Sequence, residues 1–330
     1  MGKDMGIDES CSRVNAGFLL KERGVALIMV LLALVFLATA SVYMVEDDQT
    51  AIRSVENQGH QLQARYLCQS ALQWALLVIK KDGEQSEIDH SKEPWNQLDF
   101  PIEIDNGNLN VRVEDAQGRF NVNNLRNDAG DVWLAALGRL LNALDGEAQA
   151  NPTLRFALKD WVDGDQLPQT IDGAEDDHYL LESPAYRTAD DLMVDVSELA
   201  RIRGIDAQSV SKLSSWLVAL PETGIRINAN TASPEVLRIL AAPSLAPGEG
   251  EALVLGRGEE GYATIEDVLV EPTLASYGEI AAPLITVASK YFIVTVSARF
   301  GRISMKEKYL VRRNRGETVT VDVVRAMAVS

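Results

Sequence analysis

The chain has 330 residues, 46 % of them hydrophobic, and a formal net charge of -17 with an isoelectric point near 4.7. That apolar content supports one large or two modest packed domains and excludes a chain disordered throughout. The acidic excess, 48 Asp and Glu against 31 Lys and Arg, argues against a phosphate backbone as main ligand, because counterion release needs clustered cations; it suits solubility, cationic partners or a divalent metal.

From Val25 to Val45 the sequence carries no charge, proline or glycine. At about 1.5 Å per helical residue this run is long enough to cross about 30 Å of hydrocarbon. Lys21 and Arg23 precede it and Glu46, Asp47 and Asp48 follow it, so the positive-inside rule puts the N-terminus in the cytoplasm and everything after Val45 outside that compartment. The run is too long for a signal-peptide core and no Ala-x-Ala site closes it, so it is retained. Two cysteines are present, Cys11 and Cys68; the second falls on an apolar helical face, where a small buried hydrophobe is expected.

Lys21-Glu22-Arg23-Gly24 followed by Val25-Ala26-Leu27 resembles the cleavage signal of type IV prepilins and type II secretion pseudopilins. The resemblance implies a leader, residues 1–24, removed by prepilin peptidase after Gly24, with Val25 as an N-methylated first residue. Cys11 would leave with it, so no intramolecular disulfide is expected. Most members of that superfamily have glutamate five residues into the mature chain, where it neutralises a neighbouring subunit's terminal amine. Here that position is Met29, which suits a subunit at the tip or start of a filament.

Beyond the transmembrane helix, residues 25–45, helical periodicity continues. Ile52, Val55, Gly59, Leu62 and Tyr66 form one stripe, and Leu67, Ala71, Trp74 and Val78 an adjacent one, with a stop at Lys81-Asp82-Gly83. Ile102–Ile104 and Leu109–Val113 alternate about the turn Asp105-Asn106-Gly107, which predicts a hairpin. Helices are expected over Asp131–Leu144, Pro152–Val162, Ser209–Leu220 and Ile265–Val270, with Ser233 capping another that opens on Pro234. Strands return at Tyr291–Arg299, Ile303–Arg312 and Val319–Val324. The fold class is therefore α+β: a long N-terminal helix and first strands over residues 46–125, a mostly helical insertion over 126–289, and C-terminal strands over 290–330 that complete an antiparallel sheet. That is a pilin-like architecture.

Glu114 to Asn123, Asp160-Trp161-Val162-Asp163-Gly164-Asp165, the acidic loop from Gly173 to Leu181, Val196-Ser197-Glu198-Leu199 before Arg203-Gly204-Ile205, and Ile227-Asn228-Ala229-Asn230-Thr231-Ala232 occur in this order after the junction. Together they resemble the type II secretion minor pseudopilins of the general secretion pathway protein K family, from about Lys21 to the C-terminus. The resemblance implies a non-catalytic subunit of the inner membrane with its bulk in the periplasm. It implies a cap with the minor pseudopilins I and J, further contacts with the major pseudopilin, the inner-membrane secretion platform and secreted substrates, and no nucleic acid. It also raises the expectation of calcium.

The densest chemical signal lies between Asp160 and Asp195, eleven carboxylates against Arg187 alone. Such a density is repulsive unless it is solvated or shares a cation, and calcium takes six to eight oxygens from loops of this kind. The preferred ligands are Asp163, Asp165, Asp172, Glu175, Asp176 and Asp177; a merely solvated loop is the alternative. Asp163-Gly164-Asp165 has EF-hand spacing, but Ala174 stands where the twelfth-position glutamate belongs. His60, His90 and His178 are too scattered for a metal motif and no nucleophile motif occurs, which argues against an enzyme. The second functional reading is a membrane-anchored, competence-like DNA-binding protein, since Leu199 to Ile205 and the following helix look like half of a helix-hairpin-helix. The second glycine of that turn is missing, Asp206 stands near the phosphate position, and a sterile-alpha-motif-like structural hairpin is preferred.

Overall fold

The computed structural model describes residues 16–126, 131–144 and 153–327, with side chains for all of these except 16–24 and 45–48. Most of the leader, Cys11 included, lies outside the described residues. Helix α1 spans Ala16–Gln85, and the chain forms two units, Met1–His60 and Gln61–Ser330. In the first unit α1 is long and apolar enough to cross a membrane, with a mean hydropathy of 2.8 in its most apolar window. Thr39 and Ser41 donate their hydroxyls to the carbonyls of Phe36 and Leu37, both at 2.8 Å, so neither would be unsatisfied in hydrocarbon.

In the second unit, strands β1 (Ile102–Ile104) and β2 (Gly107–Asp115) form the hairpin expected from Asp105-Asn106-Gly107. Asn106 takes φ 63°, and a Cβ on Gly107 would lie 2.0 Å from the Arg299 carbonyl oxygen, so the turn needs this pair. After β2 come β3 (Phe120–Asn121), α2 (Val132–Ala143), α3 (Leu154–Val162), α4 (Asp176–Tyr179), α5 (Ala207–Leu213) and β4 (Leu217–Val218). Then follow β5 (Ile227–Asn228), α6 (Pro234–Leu237), α7 (Pro247–Gly256), α8 (Ile265–Leu269), α9 (Gly278–Ala281) and β6 (Ile285–Thr286). The C-terminal strands are β7 (Tyr291–Phe300), β8 (Ile303–Arg315) and β9 (Val319–Ala326). The sheet order is β1-β2-β7-β8-β9, antiparallel throughout, so the chain leaves the sheet after β2 and returns beside it in β7.

Alternation along the strands puts Leu109, Val111 and Val113 of β2 and Phe292, Val294, Val296 and Ala298 of β7 on one face, packed on α1. The helix meets them with Ala64, Cys68, Ala71, Ala75 and Ile79, so Cys68 is the buried hydrophobe expected. The packing stripe differs from the periodicity expectation. Leu62 and Tyr66 are exposed and Trp74 partly so, because a row of small residues lets the helix lie close to the sheet and the bulky residues point away. The helix also runs past Gly83 to Gln85.

The insertion has its own core, where Leu137, Leu140 and Leu141 of α2 meet Leu158 and Trp161 of α3 with Leu199, Leu213, Leu237 and Leu240. Phe120, Val122 and Leu125 already belong to that core, slightly ahead of the expected boundary at Arg126. Helix α5 ends at Leu213, not Leu220, because Leu217–Val218 pairs in parallel with Phe120–Asn121. Ser233 caps α6 through its hydroxyl, as its position before Pro234 predicts.

Candidate cation site and the polar joint of the insertion

Helix α3 ends at Val162; its last turn carries Asp160, and the bend that follows carries Asp163 and Asp165. The chain then loops back so that Glu175, just before α4, faces them. One carboxylate oxygen from each of Asp163, Asp165 and Glu175 lies within 4.8 Å of the others, close enough for a single cation to share them. Asp160 is buried and positions the return loop by accepting from the amides of Gln169 at 3.1 Å and Ala174 at 2.8 Å. A Cβ on Gly173 would sit 2.1 Å from that carboxylate, so only glycine lets the loop pass. Arg126 donates to the carbonyls of Val162 at 3.0 Å and Asp190 at 2.9 Å, which fixes the far side.

The electrostatics are those of a site short of positive charge. Glu175 is buried, and neither of its oxygens, nor Oδ1 of Asp163, has a hydrogen-bond partner among the described residues. Burial, then the charges of Asp160, Asp163, Asp190 and Asp165, push Glu175 up to about 8. Burial chiefly also raises Asp160 to about 6, and raises Asp163. Orphaned buried carboxylate oxygens crowded by like charge are the donor set a hard divalent cation takes, so the residues present fit calcium.

Only three of the six expected ligands converge. Asp172 and Asp177 are exposed and outside the cluster, and Asp176 turns to Arg187 and to the amide and hydroxyl of Thr188, both at 3.1 Å. The sequence expectation missed the supporting roles of Asp160 and Asp190. The signal for Asp160 was its spacing, one helical turn before Asp163. Gly24 and Val25 both fall within α1, and Val25 is exposed.

The remaining motifs form a buried polar joint where the insertion leaves and re-enters the sheet. Asp115, at the end of β2, accepts from Asn228 at 2.9 Å, the Thr231 hydroxyl at 2.6 Å and the Ser289 hydroxyl at 2.7 Å. Gln117 accepts from the Lys290 amide at 2.6 Å and donates to the Arg226 carbonyl at 2.9 Å. Asn121 accepts from the Leu220 amide at 3.0 Å, and Asn123 donates to the carbonyls of Met193 and Leu220. These side chains satisfy loop backbone that would otherwise be buried without partners. In the hairpin before α5, Asp206 accepts from the Ser209 amide at 2.7 Å, occupying the helix terminus through which a DNA-binding hairpin takes a phosphate.

Residues 118–222 and 227–288 match two family profiles, both described as Type II secretion system (T2SS), protein K. The chain is 37 % identical to the Type II secretion system protein K of Pseudomonas aeruginosa over 74 % of its own length and 75 % of the relative. With the protein of the same name from Klebsiella pneumoniae it shares 31 % identity over 89 % of this chain and 93 % of the relative. The fold is similar to a chain in the crystal structure of the GspK-GspI-GspJ complex from enterotoxigenic Escherichia coli. That likeness has a TM-score of 0.73 at 24 % identity and covers 83 % of this chain and 98 % of that one.

Proposed function

The chain belongs to the type II secretion system protein K family, and from that premise we propose that it is the minor pseudopilin that caps the pseudopilus tip and helps initiate its assembly for export of folded proteins across the outer membrane. The observation that carries the reading is the large insertion between neighbouring strands β2 and β7 of an otherwise pilin-like sheet, which favours a terminal place in a stacked filament. Residues 25–45 anchor the subunit in the inner membrane, with the N-terminus cytoplasmic and the bulk periplasmic. Prepilin peptidase removes residues 1–24, and Val25 becomes the N-methylated first residue. The partners are minor pseudopilins of the I and J types, for which the three-protein complex of the similar fold is support, followed by the major pseudopilin, the inner-membrane platform and secreted substrates. The chain performs no catalysis.

Calcium completes the acidic cluster, held by Asp163, Asp165 and Glu175. It supplies charge neutralisation and a cross-link between the end of α3 and the entry to α4. The test of the whole reading is affinity purification of the full chain from membranes, with mass spectrometry of what accompanies it. Minor pseudopilins of the I and J types and a chain beginning at Val25 are expected. An intact Met1 in the assembled complex would sink the pseudopilin reading.

A further inference from the structure

The sheet face turned away from α1 is covered only in part. Ile293 of β7 and Leu310 of β8 pack there with Val218 and Leu220 of the insertion, and the cover ends with them. The next outward positions are Thr295 and Ser297 on β7, between Arg112 and Asn110 of β2 and Lys308 and Lys306 of β8. With Asp99 and Glu114 they line an open groove of about 240 Å³. Short side chains from the central strand make its floor, and long charged ones from the two flanking strands make its walls.

The charge of this groove opposes that of the chain. On a molecule of net charge -17, three cations here face two carboxylates. Those two carboxylates are already engaged on one wall: Asp99 lies 3.7 Å from Arg112, while Glu114 lies 3.2 Å from Arg112 and 3.4 Å from Arg119. Among the described residues Lys306 and Lys308 have no carboxylate within 4.0 Å. Burial chiefly, then the charge of Arg119, lowers the Lys308 pKa against the opposing pull of Glu114 and Asp195. Lys306 and Lys308 are two apart on one strand, so their stems leave the same face about 6.8 Å apart. An extended segment repeats its own side chains on one face at that same interval.

We propose that this groove docks an extended acidic segment of a partner protein whose carboxylates stand at alternate positions, pairing with Lys306 and Lys308 over the Thr295 and Ser297 floor. The inference rests on the groove alone and holds whether or not the chain caps a filament. A nucleic acid fits less well, since the local excess is small and a long polyanion would be repelled by the rest of the surface.

The probe is a fluorescein-labelled decapeptide of alternating glutamate and threonine, titrated against the full chain in neutral detergent and read by fluorescence anisotropy. Saturable binding is expected at about 0.05 M salt, fading toward about 0.5 M as exposed pairs are screened. Lys306→Glu with Lys308→Glu should weaken it by about tenfold or more, the scale of two lost exposed charge pairs. Lys306→Gln with Lys308→Gln should weaken it less. Lys80→Glu with Lys81→Glu, which makes the same net change at exposed positions on α1, should leave it unchanged. Absence of binding, an equal loss in the α1 control, or tighter binding of a single-stranded oligonucleotide of equal charge would each overturn the proposal. Lys306 is exposed and Lys308 half-buried, and an unchanged thermal melt of the variants separates lost docking from lost folding.

Discussion

Arg313 is wholly buried at the end of β8, where it ties the sheet to the end of α1 and to the loop that follows. Its guanidinium pairs with Asp82 at 3.0 Å and with Asp89, whose other oxygen lies 3.3 Å from Arg315. Glu93 stands close by, fixed by the His90 amide at 2.9 Å and the Trp95 indole at 2.8 Å. Removing the central cation leaves carboxylates buried without compensation, so Arg313→Ala should cost about 3–5 kcal/mol of unfolding free energy, measured by denaturant titration of the full chain in detergent. Three carboxylates share two arginines, and the surplus falls on Asp82. Burial, then the charges of Glu93 and Asp89, raise it to about 7 against the opposing pull of Arg313. A folded-state pKa above the unfolded value means the folded chain holds the extra proton. That stability is present below about pH 4 and is lost as pH rises through about 7. Between pH 5 and 8 the denaturation midpoint should therefore fall in the native chain and change less in Asp82→Asn. Equal slopes would show that Asp82 does not carry the proton. The sequence hides this cluster, since Asp82 looks like a helix end and Arg313 falls just past the expected end of the strand at Arg312, which in the structure runs on to Arg315.

At the scale of elements, those that obey local rules were legible: the hairpin turn, the amphipathic runs of α2 and α3, and the Ser233-Pro234 cap. Helix α7 was not, because Pro247–Gly256 contains three glycines and no apolar period. The end of α5 was also hidden, since a parallel pairing with β3, nearly a hundred residues earlier, draws Leu217–Val218 into a strand. The acidic loop was legible as a cluster but not as a set of ligands. Composition identifies a surplus of charge, whereas convergence depends on how the chain turns at Gly173. A calcium ion bound there would stabilise the folded state by about 2.7 kcal/mol at a hundredfold excess over Kd, or roughly 5–10 °C in melting temperature for a body of this size. Calorimetry with and without chelator should show that shift in the native chain. Glu175→Gln should abolish the calcium response and, in chelator, melt higher than the native chain, because a buried like charge has been removed. A native melt indifferent to calcium would leave the loop merely solvated.

For the whole molecule, the sheet interrupted by the insertion and completed by the C-terminal strands was legible in the sequence, with β7 rejoining directly beside β2, and the polar joint at Asp115, Gln117, Asn121, Asn123 and Asn228 explains why those scattered motifs occur together. They satisfy the backbone where a large insertion must leave and rejoin one sheet. The same construction gives the terminal-subunit reading its second support, independent of Met29. A mature chain with glutamate at that position offers a carboxylate to the charged amine of the subunit ahead, and a subunit with none ahead has no use for it. An unpartnered carboxylate there would cost up to about 3 kcal/mol at the bilayer centre and less toward the edge where Met29 falls. Met29→Leu should therefore support secretion like the native chain, and Met29→Glu should support less. In both strains immunogold against the insertion should label only filament ends if, as proposed, the insertion obstructs stacking. Gold along the shaft in either strain would remove the terminal placement, and full secretion by Met29→Glu would show that the missing carboxylate has no part in it.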